Sequence, residues 1–239
     1  VEPVQSNQGS NAGEPVVETP GGETFSAQAG TRPRSINSKP PTITTATATI
    51  WLTAVVAALA LIAKYANDPG RSGAIPHQWP AQSLIALDTD RPTLIMFVHP
   101  YCPCTRASLG ELDSLMARCR GQFNAHVVFV KPAGLGEFQA KSDLWRRASA
   151  IPGVTVHSDS SGSETRLFHP ETSGQTVLYD RDGRLLFQGG ITISRGHAGD
   201  NPGRSALVAL LNHQLVNEVE TPVFGCSLFD THVQQETAQ

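Results

Sequence analysis

The sequence predicts an α/β fold: a mixed sheet flanked by helices, preceded by a disordered segment and one transmembrane helix. Three observations lead there. From Gln82 to Val219, short β-branched or apolar runs alternate with helical patterns, and a hairpin around "DRDG" closes the series, so the sheet holds both parallel and antiparallel neighbours. Ahead of it, Ile43 to Ala63 contains no charged residue, no Pro and no Gly. Ahead of that, residues 1–41 are rich in Gly, Pro, Ser, Asn, Gln and Glu and show no apolar period. Such a segment buries too little surface to offset its ordering entropy.

The expected elements follow in order. Residues 1–41 are disordered, 42–66 form the transmembrane helix, 67–81 are a Pro/Gly linker, 82–220 are the folded domain and 221–239 are a C-terminal tail. The apolar run has the roughly 20 residues that cross a hydrocarbon core. Its alternatives are a cleaved signal, with "ALA" at Ala58–Ala60 as the cut, or a buried helix. Arg32, Arg34 and Lys39 before the span against Lys64 and Arg71 after it favour an N-terminus inside. Within the domain, strands are predicted at Leu84–Leu87 and Thr93–Val98, then a helix over Cys104–Cys119 and a strand over His126–Val130. A helix over Phe138–Ala150, a strand over Val154–His157 and a short helix over Glu164–Phe168 come next. A hairpin of Thr176–Tyr179 with Leu185–Gln188 and a helix over Arg204–Asn217, started by "NPGR", complete the domain.

Composition removes some functions. The 239 residues carry a formal charge of -3 and a pI near 6.2, and no dense Lys/Arg face is present, so nucleic acid is not an expected partner. Arg146 and Arg147 read as a solvated helix face. Four cysteines are too few for a disulfide scaffold, and Cys102 with Cys104 lacks the second Cys/His pair of a structural zinc site. All four follow the apolar span, on the side where disulfides persist if the N-terminus is inside.

The stretch "HPYCPCT", residues 99–105, stands where a strand hands over to a helix. A cysteine there is faced by free helix N–H groups and by the helix dipole, both of which favour the thiolate. Cys102 is so placed, and Pro103 suits the first helical position, where a missing N–H costs nothing. Cys119 falls on the core-facing stripe of the helix and is expected to be structural. His99, three residues before Cys102, is a candidate for lowering its pKa.

Strand, aromatic residue, Cys-Pro-Cys, helix, the hairpin "TVLYDRDGRLLFQGG" and a final helix together resemble the thioredoxin-like superfamily, and in particular membrane-anchored extracytoplasmic thiol-disulfide proteins. "RPTLIMFVHPYCPCTRASLGEL", "TSGQTVLYD" and "GGIT" are similar to RedB-like bacterial proteins. The resemblance implies a thiol-disulfide oxidoreductase with Cys102 as nucleophile and Cys104 as the first choice of resolving thiol. It further implies protein thiols or disulfides outside the cytoplasm as partners, no cofactor, and a single-pass place in the bacterial inner membrane with the domain periplasmic. Two departures stand out. The usual C-x-x-C is C-x-C here, with Thr105 where the second cysteine falls. The cis-proline position beside the active site is taken by Gln175, the nearest proline being Pro170.

A Cys-Pro-Cys disulfide closes a small ring and is expected to be easily reduced. Cys226, in the tail "TPVFGCSLFD", is the alternative partner for Cys102, since its apolar flanks can fold back over the site. His197, in the glycine-bounded loop "SRGHAGDNPGR", supports a second reading as a copper chaperone with Cys102, Cys104 and His197 as ligands. The third reading is a redox-silent interaction domain on a membrane stalk.

Overall fold

The computed structural model describes residues 42–130 and 142–229. The expected disorder of residues 1–41, the first residues of the helix predicted from Phe138 and the end of the tail lie outside them.

Helix α1 (Thr42–Asn67) carries the apolar run, and its stretch Thr44–Asn67 is long and apolar enough to cross a membrane. It is not the buried helix of a soluble core, because Ile50, Trp51, Leu52, Val56, Leu59, Leu61 and Ile62 are all exposed. The elements that follow are β1 (Thr93–Val98), α2 (Thr105–Arg118), β2 (Asn124–Val130), α3 (Asp143–Ala150) and β3 (Val154–Asp159). Then come α4 (Ser163–Phe168), β4 (Gln175–Tyr179), β5 (Leu185–Gly189), α5 (Pro202–Leu211) and β6 (Glu220–Thr221). The six strands lie side by side in the order β3-β2-β1-β4-β5-β6. Strand β1 pairs parallel with β2 and antiparallel with β4, which makes the sheet mixed, as the hairpin after alternating units predicts.

All six residues of β1 are buried, because both faces of the sheet are covered. The two-residue period of a strand divides them. Leu94, Met96 and Val98 join Ala125, Val127, Phe129 and Leu178 in a core closed by α2, α3 and α5. Ile95 and Phe97 face the other way and meet Val128, Val177, Tyr179, Phe168 of α4, and the irregular-chain residues Ile75, Ile85 and Leu228. That second face is closed largely by chain without regular structure. The Pro/Gly segment after α1 is therefore packed: Trp79 meets Phe168 and Tyr179 edge-on at 5.2 Å each, and the Tyr179 hydroxyl donates to the Pro76 carbonyl at 2.8 Å.

Two predicted elements are corrected. Leu84–Leu87 is not a strand: Ser83 and the Leu84 N–H bond the Glu164 carboxylate, Leu84 points to solvent and Ile85 packs inward, so the alternation is that of a surface loop. Helix α5 stops at Leu211 rather than Asn217. His213 turns left-handed at φ 58°, its N–H reaches the Leu210 carbonyl and the Gln214 N–H reaches the Ala209 carbonyl, a closing pattern that satisfies the last carbonyls. Strand β6 was not predicted, its two residues being too few to show a period.

The start of α5 is set by "NPGR". The Asn201 side chain caps it by accepting from the Arg204 N–H at 2.8 Å, and Pro202 takes the first position. Arg204, almost fully buried, pairs with Glu111 of α2, whose carboxylate also accepts from the Gly199 N–H at 2.6 Å and from Asn201 at 3.1 Å. Arg146 and Arg147 lie at the surface beside Asp143, as expected. Glu111→Ala removes the buried partner of the Arg204 guanidinium and leaves it only the exposed Asp200, at 2.8 Å, so it is expected to destabilise the domain by about 3 kcal/mol. Chemical denaturation, with an unchanged slope and a lower midpoint, checks this.

Candidate functional site

Strand β1 ends at Val98, and the chain turns through His99–Tyr101, with the Cys102 N–H donating to the His99 carbonyl at 3.1 Å. From Cys102 a tight turn leads into α2. The N–H groups of Thr105, Arg106 and Ala107 donate to the carbonyls of Cys102, Pro103 and Cys104, at 3.1, 3.4 and 3.0 Å. Cys104 is the N-cap, with helical φ -65° and ψ -27° and no side-chain cap bond. Pro103 thus stands before the helix rather than at its first position, and Cys102 one residue earlier still. The pattern of the sequence located the junction, while the tightness of the turn moved the helix start.

Cys102 is fully buried and Cys104 is 7% exposed. Burial pushes the Cys102 thiol up, but the Cys226 N–H, at 3.4 Å from its sulfur, outweighs it together with the Cys226 thiol and the hydroxyls of Thr105 and Ser173. The net effect is a pKa below the ordinary thiol value. The donors that favour the thiolate therefore come from three chain segments, not from the free N–H groups of α2 alone. Burial, then the neighbouring Cys102 charge and the hydrogen bond to Cys102, push the Cys104 thiol up. Burial, then the hydrogen bond to Cys102 and its charge, push the Cys226 thiol up to about 12. The surroundings thus lower the pKa of one thiol and raise those of the two beside it.

Ser173, just before β4, was not singled out in the sequence, although "TSGQTVLYD" marks its position. It is 1% exposed; its hydroxyl accepts from the His99 N–H at 2.8 Å and shares a hydrogen bond with Thr105 at 3.0 Å. Its own N–H donates to the Cys226 carbonyl at 2.8 Å. Thr105, a candidate from the sequence, is thus among the groups around the sulfur. Gln175 is not. It belongs to β4, and its side-chain oxygen accepts from the N–H groups of Gly73 and Glu171, at 3.4 and 3.1 Å. No described peptide bond is cis. His99 Nδ1 accepts from the Tyr101 N–H at 3.3 Å, so that nitrogen shapes the turn.

Arg195 is the second residue that the sequence did not single out, two positions before the candidate His197. Its guanidinium donates to the carbonyls of Asp68, at 3.2 Å, and Gly225, lies 5.0 Å over the Tyr65 ring, and lowers the pKa of both Cys104 and Cys226 against the causes that raise them. It ties the end of α1 to the segment that holds Cys226. His197 is exposed, with Nδ1 2.8 Å from the Arg195 carbonyl. Among the described residues no three His, Cys, Asp or Glu side chains form a metal-binding group. Cys119 is 1% exposed within the α2 core, the structural place expected of it.

The central order β2-β1-β4-β5, with β4 antiparallel to β1 and the cysteines at the β1–α2 junction, makes the fold thioredoxin-like. No protein-family model matches the chain, and no curated protein matches it in sequence. Two solved structures share its fold. A hypothetical protein of Sinorhizobium meliloti is 19% identical with a TM-score of 0.53, over 66% of this chain and 96% of that one. An uncharacterized conserved protein of Geobacillus kaustophilus is 20% identical with a TM-score of 0.51, over 68% and 92%. A secreted disulfide oxidoreductase of Mycobacterium tuberculosis is matched at 15% identity over 53% and 84%, with a TM-score of 0.35, a likeness that carries no weight for activity.

The arrangement predicts one thiolate forming below the ordinary thiol range of about 8.5 in the reduced protein. Thiolate ultraviolet absorbance followed against pH should show that step, lost in Cys102→Ser and kept in Cys119→Ser. Thr105→Val, which removes a donor to the sulfur, should move the step to higher pH.

Proposed function

We propose that this chain is a membrane-anchored thiol-disulfide oxidoreductase whose domain faces the outside of the cytoplasm and exchanges disulfides with exported client proteins. The observation that carries the reading is the buried Cys102 sulfur where β1 hands over to α2, with the Cys226 N–H 3.4 Å away and a pKa lowered by the donors around it. A thiolate is the form that attacks a disulfide. Cys102 attacks one sulfur of a client disulfide, a mixed disulfide forms, and the client's other sulfur leaves as a thiolate. A second thiol of the domain then attacks Cys102, forms an internal disulfide and releases the client's remaining sulfur. Two electrons pass to the client, and the same steps reversed oxidise a client dithiol. No cofactor is needed, since sulfur atoms carry the electrons.

Reduction of a disulfide-bonded model protein tests the chemistry. Cys102→Ser should fall to background and Cys119→Ser should stay near wild type. Activity retained without Cys102, or a stoichiometric copper ion lost from Cys102→Ser, would sink the reading.

The exposed apolar helix α1 and the basic residues before it support an inner-membrane anchor with the N-terminus cytoplasmic. A reporter active only outside the cytoplasm, fused after Gln239, should be active and remain with the membranes. A soluble product beginning near Leu61 would show a cleaved signal instead, and an inactive reporter would reverse the orientation.

A further inference from the structure

The segment after β6 crosses the site as an extended strap held at several points. The Gly70 N–H donates to the Val223 carbonyl at 2.8 Å, the Ser173 N–H to the Cys226 carbonyl at 2.8 Å, and the Leu228 N–H to the Glu171 carbonyl at 2.9 Å. Thr172 and Ser227 form an antiparallel bridge, and Arg195 holds the Gly225 carbonyl. Val223 and Leu228, on either side of Cys226, are 0% and 2% exposed. At Gly225 the strap lies so close that a Cβ would stand 1.9 Å from the Ser173 carbonyl oxygen. These contacts set the Cys226 N–H against the Cys102 sulfur at 3.4 Å, between residues 124 apart in sequence.

We propose that residues 223–228 are a redox-operated strap in which Cys226, not Cys104, is the thiol that resolves Cys102, and that this strap must lift before a client reaches Cys102. The proposal rests on the exchange chemistry above and assigns its second thiol.

Geometry separates the two candidates. Cys102 and Cys104 flank Pro103 in a turn already closed by hydrogen bonds, and a disulfide between them, although their side chains hydrogen-bond, would close a small ring inside that turn. Cys226 arrives from another segment, which sets its N–H 3.4 Å from the Cys102 sulfur, and its thiol, like that of Cys104, hydrogen-bonds Cys102. Loss of the Cys102 charge in a mixed disulfide frees Cys104 and Cys226 alike, and the strap sets Cys226 apart. The hydrogen bond to Cys102 and the charge of Cys102 help keep Cys226 protonated, and both are lost once Cys102 is bound in a mixed disulfide. Cys226 then gives up its proton more readily, attacks the Cys102 sulfur and expels the client thiolate. The product is a Cys102–Cys226 disulfide and a reduced client. Access follows from burial, because a sulfur with no exposed surface is not attacked until the strand above it moves.

The test uses the full chain in detergent, with glutathione disulfide as the probe. Wild type and Cys104→Ser should both form a Cys102–Cys226 disulfide, identified by peptide mapping, and release glutathione. Cys226→Ser should instead accumulate glutathione on Cys102. Oxidation should raise the denaturation midpoint of wild type and of Cys104→Ser, since only a bond closing a long loop constrains the unfolded chain strongly. Gly225→Val keeps every thiol but crowds Ser173. Its Cys102 should react with a maleimide roughly tenfold faster, corresponding to about 1.4 kcal/mol of lost docking, and its glutathione adduct should persist.

A Cys102–Cys104 disulfide in wild type, together with release of glutathione by Cys226→Ser, overturns the proposal and leaves the exchange reaction standing. Unchanged maleimide reactivity in Gly225→Val removes the gating role. Absence of any Cys102 adduct in every variant defeats the exchange reaction itself.

Discussion

The site is built around one buried sulfur, that of Cys102, whose ionisation is made easier by donors converging on it. Burial of Cys102 opposes ionisation, and the opposition is overcome only because a backbone N–H and several S–H or O–H groups converge on one atom. They come from the first residue of α2, from the segment before β4 and from the strap after β6. The antiparallel pairing of β1 with β4 carries the segment before β4 to the end of β1, where the Gly174 N–H donates to the Phe97 carbonyl at 2.7 Å. The lowered pKa of Cys102 is thus a product of sheet topology as much as of the cysteine's place before a helix.

The same sheet explains why irregular chain matters here. Three helices close one face, while the other is closed by α4, the segment that follows α1 and the strap. The second face therefore lies under segments tied at both ends to the site: Thr172 donates to the Arg71 carbonyl at 2.7 Å, and Arg195 bridges Asp68 and Gly225. A side chain in a loop links the end of the apolar helix to the backbone next to Cys226. Motion at that end of α1 and opening of the strap share these contacts.

The sequence by itself determined the α/β class, the mixed sheet, the apolar helix, the junction holding Cys102 and the structural place of Cys119. Each is a local or periodic signal: a run of apolar residues, a period of two or of nearly four, a cap such as Asn201. The strand expected at Leu84–Leu87 failed because alternation shows which side is buried, not whether a neighbouring strand exists to complete a ladder. Helix α5 was overextended because His213 takes the left-handed position that glycine usually marks.

Only the tertiary structure decided which groups surround the sulfur. Ser173 and Arg195 carry no motif, and their importance comes from contacts made across more than 60 and 120 residues of sequence respectively, with Thr105 and Asp68. Gln175 and His197 were reasonable candidates by position, but hydrogen bonds direct one to the backbone of Gly73 and Glu171 and the other to its own loop. Spacing shows only Cys104 beside Cys102, whereas the strand hydrogen bonds that also bring Cys226 against it exist only once the chain has folded.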